Sequence, residues 1–292
     1  MAYTSGDVIL DDHYNIFVQG GASAVDHNTA NLNSIWSAGN SDKGWGQSGA
    51  LSPVSAGTTI TATQWASMLN RMNAIASHQG TSITSITNPT TGDTISAYTA
   101  LSSNITSLYN ARGDSVASGT DITTNGTVTG TGSWDVSATT TKTVTFSSAD
   151  AARYFFNTGG QIRLSISRSG GTVSSKNSEW TDLLSQCGTI VITGGALTQT
   201  ISGTAYTGTT KVGGSGTPNI LATTTGWFDL VAGAAATVVF RQYADSTPYT
   251  GNYVEIQISK NASSDELTFS VALYDNATDT VDPTGNSSVT NL

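Results

Sequence analysis

Tyr253-Val254-Glu255-Ile256-Gln257-Ile258-Ser259, followed by Leu267-Thr268-Phe269-Ser270-Val271-Ala272-Leu273-Tyr274, decides the reading of this chain. Val254, Ile256 and Ile258 alternate with other residues in the first run. Leu267, Phe269, Val271 and Leu273 do so in the second. A period of two sends one set of side chains to a core and the other to an open face. The link Lys260–Glu266 is polar and slightly longer than the usual hairpin loop, so the two runs predict an antiparallel pair.

Further strands are predicted outward from this pair. They are Trp134–Ala138, Thr143–Phe146, Gln161–Arg168, Thr189–Thr193, Gly226–Val231 and Thr237–Tyr243. In Gln161–Arg168, Ile162, Leu164 and Ile166 share one face, and Arg163, Ser165 and Ser167 the other. Two short helices interrupt the strands. Ser147 or Ser148 caps one bearing Ala151, Tyr154 and Phe155, ended by Gly159-Gly160. The other carries Trp180, Leu183, Leu184 and Cys187 on one side and stops at Gly188. Gly194–Gly216 is rich in Gly and Thr and reads as a β-ribbon or a long loop that orders against another chain.

Before a break near Asp114–Gly119, helix signals dominate. Val8-Ile9-Leu10 leads into a short helix capped by Asp11 or Asp12, carrying Tyr14, Phe17 and Val18 and stopping at Gly20-Gly21. Asp26 is predicted to cap a second helix, with Leu32, Ile35 and Trp36 on one face and Gly39 at its end. Gly57-Thr58-Thr59-Ile60-Thr61-Ala62 returns weakly as Gly92-Asp93-Thr94-Ile95-Ser96-Ala97, each copy opening a helix. The first helix has the capping box Thr61/Gln64 and the apolar face Trp65, Met68, Leu69, Met72 and Ile75. The second has Leu101, Ile105, Leu108 and Tyr109. The fold class is therefore α+β, mostly β: a small helical region over residues 1–115, then a β-sandwich over 116–292 with two short helical inserts.

Composition narrows function. Only 11% of the 292 residues are charged, against about 25% in ordinary soluble chains. A net charge of -9 disfavours binding to a phosphate backbone. No apolar run approaches a membrane span, and the N-terminus lacks the basic and apolar regions of a signal peptide. One cysteine excludes an intrachain disulfide framework. These features predict synthesis in a cytoplasm.

The reactive residue types form no recognisable constellation. His13 beside Asp11-Asp12 and His27 beside Asp26 have no metal-site spacing. Cys187 completes an apolar helical face. No Gly-x-Ser-x-Gly elbow occurs, and the glycine pairs Gly194-Gly195 and Gly213-Gly214 lack the lysine of a phosphate loop. No catalytic residue, cofactor or metal is predicted, and neither nucleic acid nor membrane is an expected partner.

What remains is contact surface. Trp36, Trp45 and Trp65 are candidate interface aromatics. Lys142, Arg153, Arg163, Arg168 and Lys176 make a basic stretch, and Asp245 to Asp282 an acidic one. Arg163 and Arg168 are thus candidates for head-to-tail contacts between identical subunits. Trp227, Tyr243, Tyr249 and Tyr253 are candidate glycan contacts.

Several runs carry a family resemblance. Tyr14-Asn15, Gly44-Trp45-Gly46-Gln47, and Gly57 to Trp65 with a helix to His78-Gln79-Gly80 resemble virion structural proteins of tailed bacteriophages. So does Phe146-Ser147-Ser148-Ala149-Asp150-Ala151-Ala152-Arg153-Tyr154-Phe155-Phe156-Asn157-Thr158-Gly159-Gly160-Gln161-Ile162-Arg163-Leu164. The resemblance implies a non-enzymatic subunit made in the host cytoplasm and resident in the virion. Its partners would be copies of itself and other virion proteins. No sustained heptad is present, which points to a compact neck, collar, tail or baseplate part rather than a long fibre. The alternatives are a receptor- or glycan-binding fibre module, with a host surface glycan as partner, and a capsid decoration protein.

Overall fold

The computed structural model describes residues 11–20, 27, 29–37, 44–88, 98–116, 126–130, 134, 136–170, 173–195, 197–277 and 289–290. The predicted features at Val8–Leu10, Asp26, Gly39 and Gly92–Ala97 lie outside them. The chain divides into two compact units. One comprises residues 1–118, 153–159 and 199–204, and the other comprises 119–152, 160–198 and 205–292. The break falls at 118/119, close to the expected 115/116, but two later segments return to the first unit.

The first unit is built on α1 (Asp11–Gln19), α2 (Leu32–Trp36), α3 (Ala62–Gln79) and α4 (Tyr98–Asn110). Asn31 caps α2: its side chain accepts from the Ser34 amide at 2.9 Å, and Ser34 Oγ accepts from the Asn31 amide at 3.2 Å. In α3 the predicted box forms. Gln64 N donates to Thr61 Oγ1 at 3.2 Å, and Thr61 N to Gln64 Oε1 at 2.9 Å. Gly80 ends α3 at φ +72°, where a Cβ would come within 2.7 Å of Val116 Cγ1. The i, i+3, i+4 faces meet in one core containing Tyr14, Phe17, Leu32, Ile35, Trp65, Met68, Leu69, Met72, Leu101, Ile105 and Leu108.

The returning segments are tied in by hydrogen bonds. Asn157 Nδ2 donates to Gly44 O at 2.8 Å, and Gln199 Nε2 to Phe156 O at 2.7 Å. Ser115 exchanges backbone bonds with Thr200 and Ser202.

The second unit centres on an antiparallel five-stranded sheet. Its strands are β1 (Ser137–Thr145), β8 (Ile220–Leu221), β9 (Thr237–Tyr243), β10 (Tyr253–Lys260) and β11 (Glu266–Tyr274), in the order β1-β11-β10-β9-β8. The deciding pair of the sequence is β10–β11, in register from Tyr253↔Tyr274 to Lys260↔Leu267. The two strands predicted at Trp134–Ala138 and Thr143–Phe146 are instead the single nine-residue β1. Its central Thr139-Thr140-Thr141 is β-branched and carries the strand straight through.

A smaller sheet joins β2 (Ile162–Ser165), β4 (Thr189–Ile192) and β7 (Thr209–Val212), while β3 (Ser167–Arg168) pairs with β12 (Val289–Thr290). Much of Gly194–Gly216 is thus ribbon, with β5 (Gln199–Ile201) pairing β6 (Thr204–Tyr206). The segment orders within its own chain, since β7 pairs with β4.

Helix α6 (Ser175–Cys187) buries Trp180, Leu183, Leu184 and Cys187 and packs against β9 and β10. Gln242 of β9, level with Val254, hydrogen-bonds Gln186 of α6, so a helix covers the apolar face of the large sheet. Helix α5 (Ala149–Asn157) is capped by Ser148 but buries Ala152 and Phe156, one position on from the predicted face. Gly226–Val231 is a turn, not a strand. Asp229 Oδ2 accepts from Gly226 N at 2.9 Å, and the Trp227 and Phe228 amides donate to Thr193 O and Gly194 O.

Candidate functional site

The parity of β10 and β11 gives the large sheet two unlike faces. Val254, Ile256, Ile258, Leu267, Phe269, Val271 and Leu273 are buried on one. On the other lie Thr139, Thr141, Thr143 and Thr145 of β1, all exposed, with Thr268 and Ser270 of β11 and Gln257 and Ser259 of β10. This second face is a field of hydroxyls.

At one end of it stands a row of aromatic rings. Register places Ser137, Tyr274, Tyr253 and Tyr243 side by side across four strands. Tyr253 and Tyr274 stack at 4.5 Å between centroids and 21° between planes, and Tyr243 leans on Tyr253 at 4.9 Å. Cross-strand aromatic pairs of this kind stabilise a sheet. The three tyrosines are half-buried.

The next row holds Thr139, Ala272, Glu255 and Arg241. Arg241 forks onto one oxygen of Glu255 through Nε, at 2.8 Å, and Nη2. Gln257 Nε2 donates to the other oxygen at 2.6 Å. The guanidinium lies 5.1 Å from the Tyr253 ring centroid. Glu255 raises the Arg241 pKa through this bond, and burial pushes the Tyr253 phenol up, with Tyr274 adding to it. The row is therefore locally neutral, since cation and carboxylate cancel.

Tyr243 and Tyr253 of the predicted glycan set are thus brought together. Trp227 and Tyr249 are not: both are buried. Trp227 lies under Lys260 Nζ, 4.5 Å from the ring centroid, and the same Nζ donates to Trp227 O at 2.8 Å. Burial lowers the Lys260 pKa, against the pull of Asp229. Sequence reasoning missed Tyr274, Arg241, Glu255 and Ser137. The parity of Tyr274, opposite to Leu273, was the available signal.

The interface candidates divide similarly. Trp65 is 1% exposed, a core residue of the first unit. Trp45 is also buried, donating Nε1–H to Arg112 O at 3.1 Å and resting 4.6 Å from the His78 ring. Trp36 is half-buried beneath the Arg71 guanidinium, 4.1 Å away, with Nε1 donating to Ser48 O. Arg163 is exposed and forks onto Gln161 Oε1 at 2.9 and 3.2 Å. Arg168 turns onto its own chain, donating to Asn177 O, Thr181 Oγ1 and Gly170 O.

Part of the predicted charge complementarity is internal. Lys176, from the basic stretch, forms a buried ion pair with Asp275, from the acidic one. His27 is buried between Ala30 O and Ser102 Oγ, each at 2.9 Å. Cys187 is fully buried, and burial pushes its thiol up to about 12.

One cluster has metal-compatible donors among the described residues. Glu179, Asp182 and Asp245 offer carboxylate oxygens within 4.8 Å of one another, a donor type suited to hard cations. They line or adjoin an open groove that also includes Ser174, Ser178, Ser246 and Tyr249. Gln186 Nε2 bridges Asp182 and Asp245 at 2.8 and 3.0 Å. Burial raises the Glu179 pKa. Ser246 opposes this by hydrogen bonding, and Asp182 and Asp245 add to it by repulsion.

No family model, curated protein or solved structure matches this chain.

Proposed function

We propose that this chain is a non-enzymatic structural subunit of a tailed-phage virion that assembles with copies of itself in the neck, tail or baseplate region. The observation supporting a structural role is where its reactive groups are committed. Lys176 and Arg241 neutralise Asp275 and Glu255. Arg168 holds backbone carbonyls of its own chain, His27 and His78 bond carbonyl oxygens, and Cys187 is sealed in the core. These groups serve to hold the chain together. The phage assignment rests on the sequence resemblance of Gly44–Gln47, Gly57–Trp65 and Phe146–Leu164.

The test is the particle made by the genome that encodes the chain. Antibodies against the chain should decorate purified particles at one fixed position, with a copy number set by the symmetry there. A chain that never sediments with particles overturns the reading.

A further inference from the structure

Helix α6 presents an acidic edge. Glu179, Asp182 and Gln186 stand at i, i+3 and i+7, so they share one side of it. Asp245, just past the end of β9, meets that side, and one oxygen from each of the three carboxylates lies within 4.8 Å of the others. Like charges this close call for compensation, and the chain supplies only neutral donors. Gln186 Nε2 bonds both Asp182 and Asp245, and Ser246 Oγ bonds Asp245 at 3.2 Å. The lysine of α6, Lys176, is committed to Asp275. Among the described residues, no lysine or arginine pairs with Glu179, Asp182 or Asp245.

A second observation points to a ligand. Glu179 is 9% exposed, and its Oε1 is enclosed by protein and accepts no hydrogen bond. Leaving a buried carboxylate oxygen without a donor is costly, and a bound cation removes that cost. Glu179 lines the groove together with Asp182 and Ser246, while Asp182 and Asp245 are exposed. An ion therefore has a way in from solvent, with the buried acceptor on the groove wall.

The donors select the ion. They are carboxylate oxygens, with no imidazole or thiol among them, which favours a hard cation over zinc or copper. Oxygens held by calcium at about 2.3–2.6 Å lie up to about 5 Å apart, whereas those held by magnesium lie at most about 4.2 Å apart in a near-ideal octahedron. An open groove that leaves part of the shell to water suits the flexible coordination of calcium.

We propose that Glu179, Asp182 and Asp245 bind a calcium ion, with water and the groove hydroxyls of Ser178 or Ser246 completing its shell. The ion bridges α6 to the segment that follows β9 and so ties the helix to the end of the large sheet. The proposal does not depend on the virion reading, because all three residues belong to one unit of the isolated chain.

Isothermal titration calorimetry tests it on the full chain, freed of metal with EDTA and titrated with calcium chloride at an ionic strength of about 0.15 M, where diffuse attraction is screened. One ion should bind per chain with a Kd below about 1 mM, and calcium should raise the midpoint of thermal unfolding. Asp182→Asn and Asp245→Asn change exposed residues, so each should unfold like the wild type in EDTA while weakening calcium at least about tenfold. Asp12→Asn, exposed on α1 of the first unit, should leave binding unchanged, and magnesium chloride should bind the wild type more weakly. A Kd above about 1 mM overturns the proposal. So does calcium binding that survives both cluster substitutions, an equal loss in Asp12→Asn, or magnesium binding as tight as calcium.

Discussion

Trp65 of the first unit and Tyr253 of the second put aromatic side chains to opposite uses. Trp65 sits on a helix whose neighbours at i+3, i+4 and i+7 are Met68, Leu69 and Met72, all buried, so the ring is core. Tyr253 sits on a strand whose neighbours at i+1 and i+3 are buried and whose own parity faces outward. The helix gathers its apolar side chains into one stripe, while the strand deals them alternately to two faces. The period of the element thus sends the Trp65 ring to the interior and leaves the Tyr253 ring half-buried on an outward face.

The largest expected effect tests the interior half of that contrast. Trp65→Ala should destabilise the first unit by about 3–5 kcal/mol, read by urea unfolding. A loss below about 1 kcal/mol would mean the ring is not core. Asp275→Asn should come next. It strands the Lys176 ammonium, whose side chain is 8% exposed, and removing one partner of a buried pair costs about 3 kcal/mol or more. Replacing both residues with apolar ones should recover most of that loss.

The surface half predicts a smaller number. Tyr253→Ala removes two cross-strand ring contacts and should cost about 1 kcal/mol, well under the Trp65 value. Equal losses would erase the contrast.

The smallest effect is electrostatic. The Glu179 carboxyl is held above its usual range, first by burial. The folded state therefore binds this proton more tightly than the unfolded state. Its contribution to stability is greatest below the unfolded-state value of about 4.3 and is lost as pH rises through the folded-state value. Glu179→Gln has no such proton to lose. Its stability relative to wild type should rise across that window and then level off, as measured by urea unfolding at a series of pH values.

Where the physics is local, the sequence was legible. The Thr61/Gln64 box and the apolar stripe of α3 need only a few consecutive turns of helix, and both formed as read. The alternation in β10 and β11 likewise needs only parity. The tyrosine row needs more: a strand order, β1-β11-β10-β9, and a register fixed beyond the irregularity at Ile256/Gln257. Neither property belongs to any one segment, so Tyr243 and Tyr253 could be named but Tyr274 could not be joined to them. Trp227 and Tyr249 sit in irregular chain without a period, which left their burial unsignalled. Arg168 looked like a free surface charge because one carbonyl it holds, that of Asn177, is brought to it by the first turn of α6.

The lone thiol at the end of α6 has a practical consequence. Cys187 is the only cysteine in the chain and is fully enclosed, with its proton held far above neutral pH. A thiol-reactive dye added to the native protein can label it only in molecules where α6 has lifted from β9 and β10. The labelling rate therefore counts those openings one at a time, turning a chemically silent residue into a clock for the second unit.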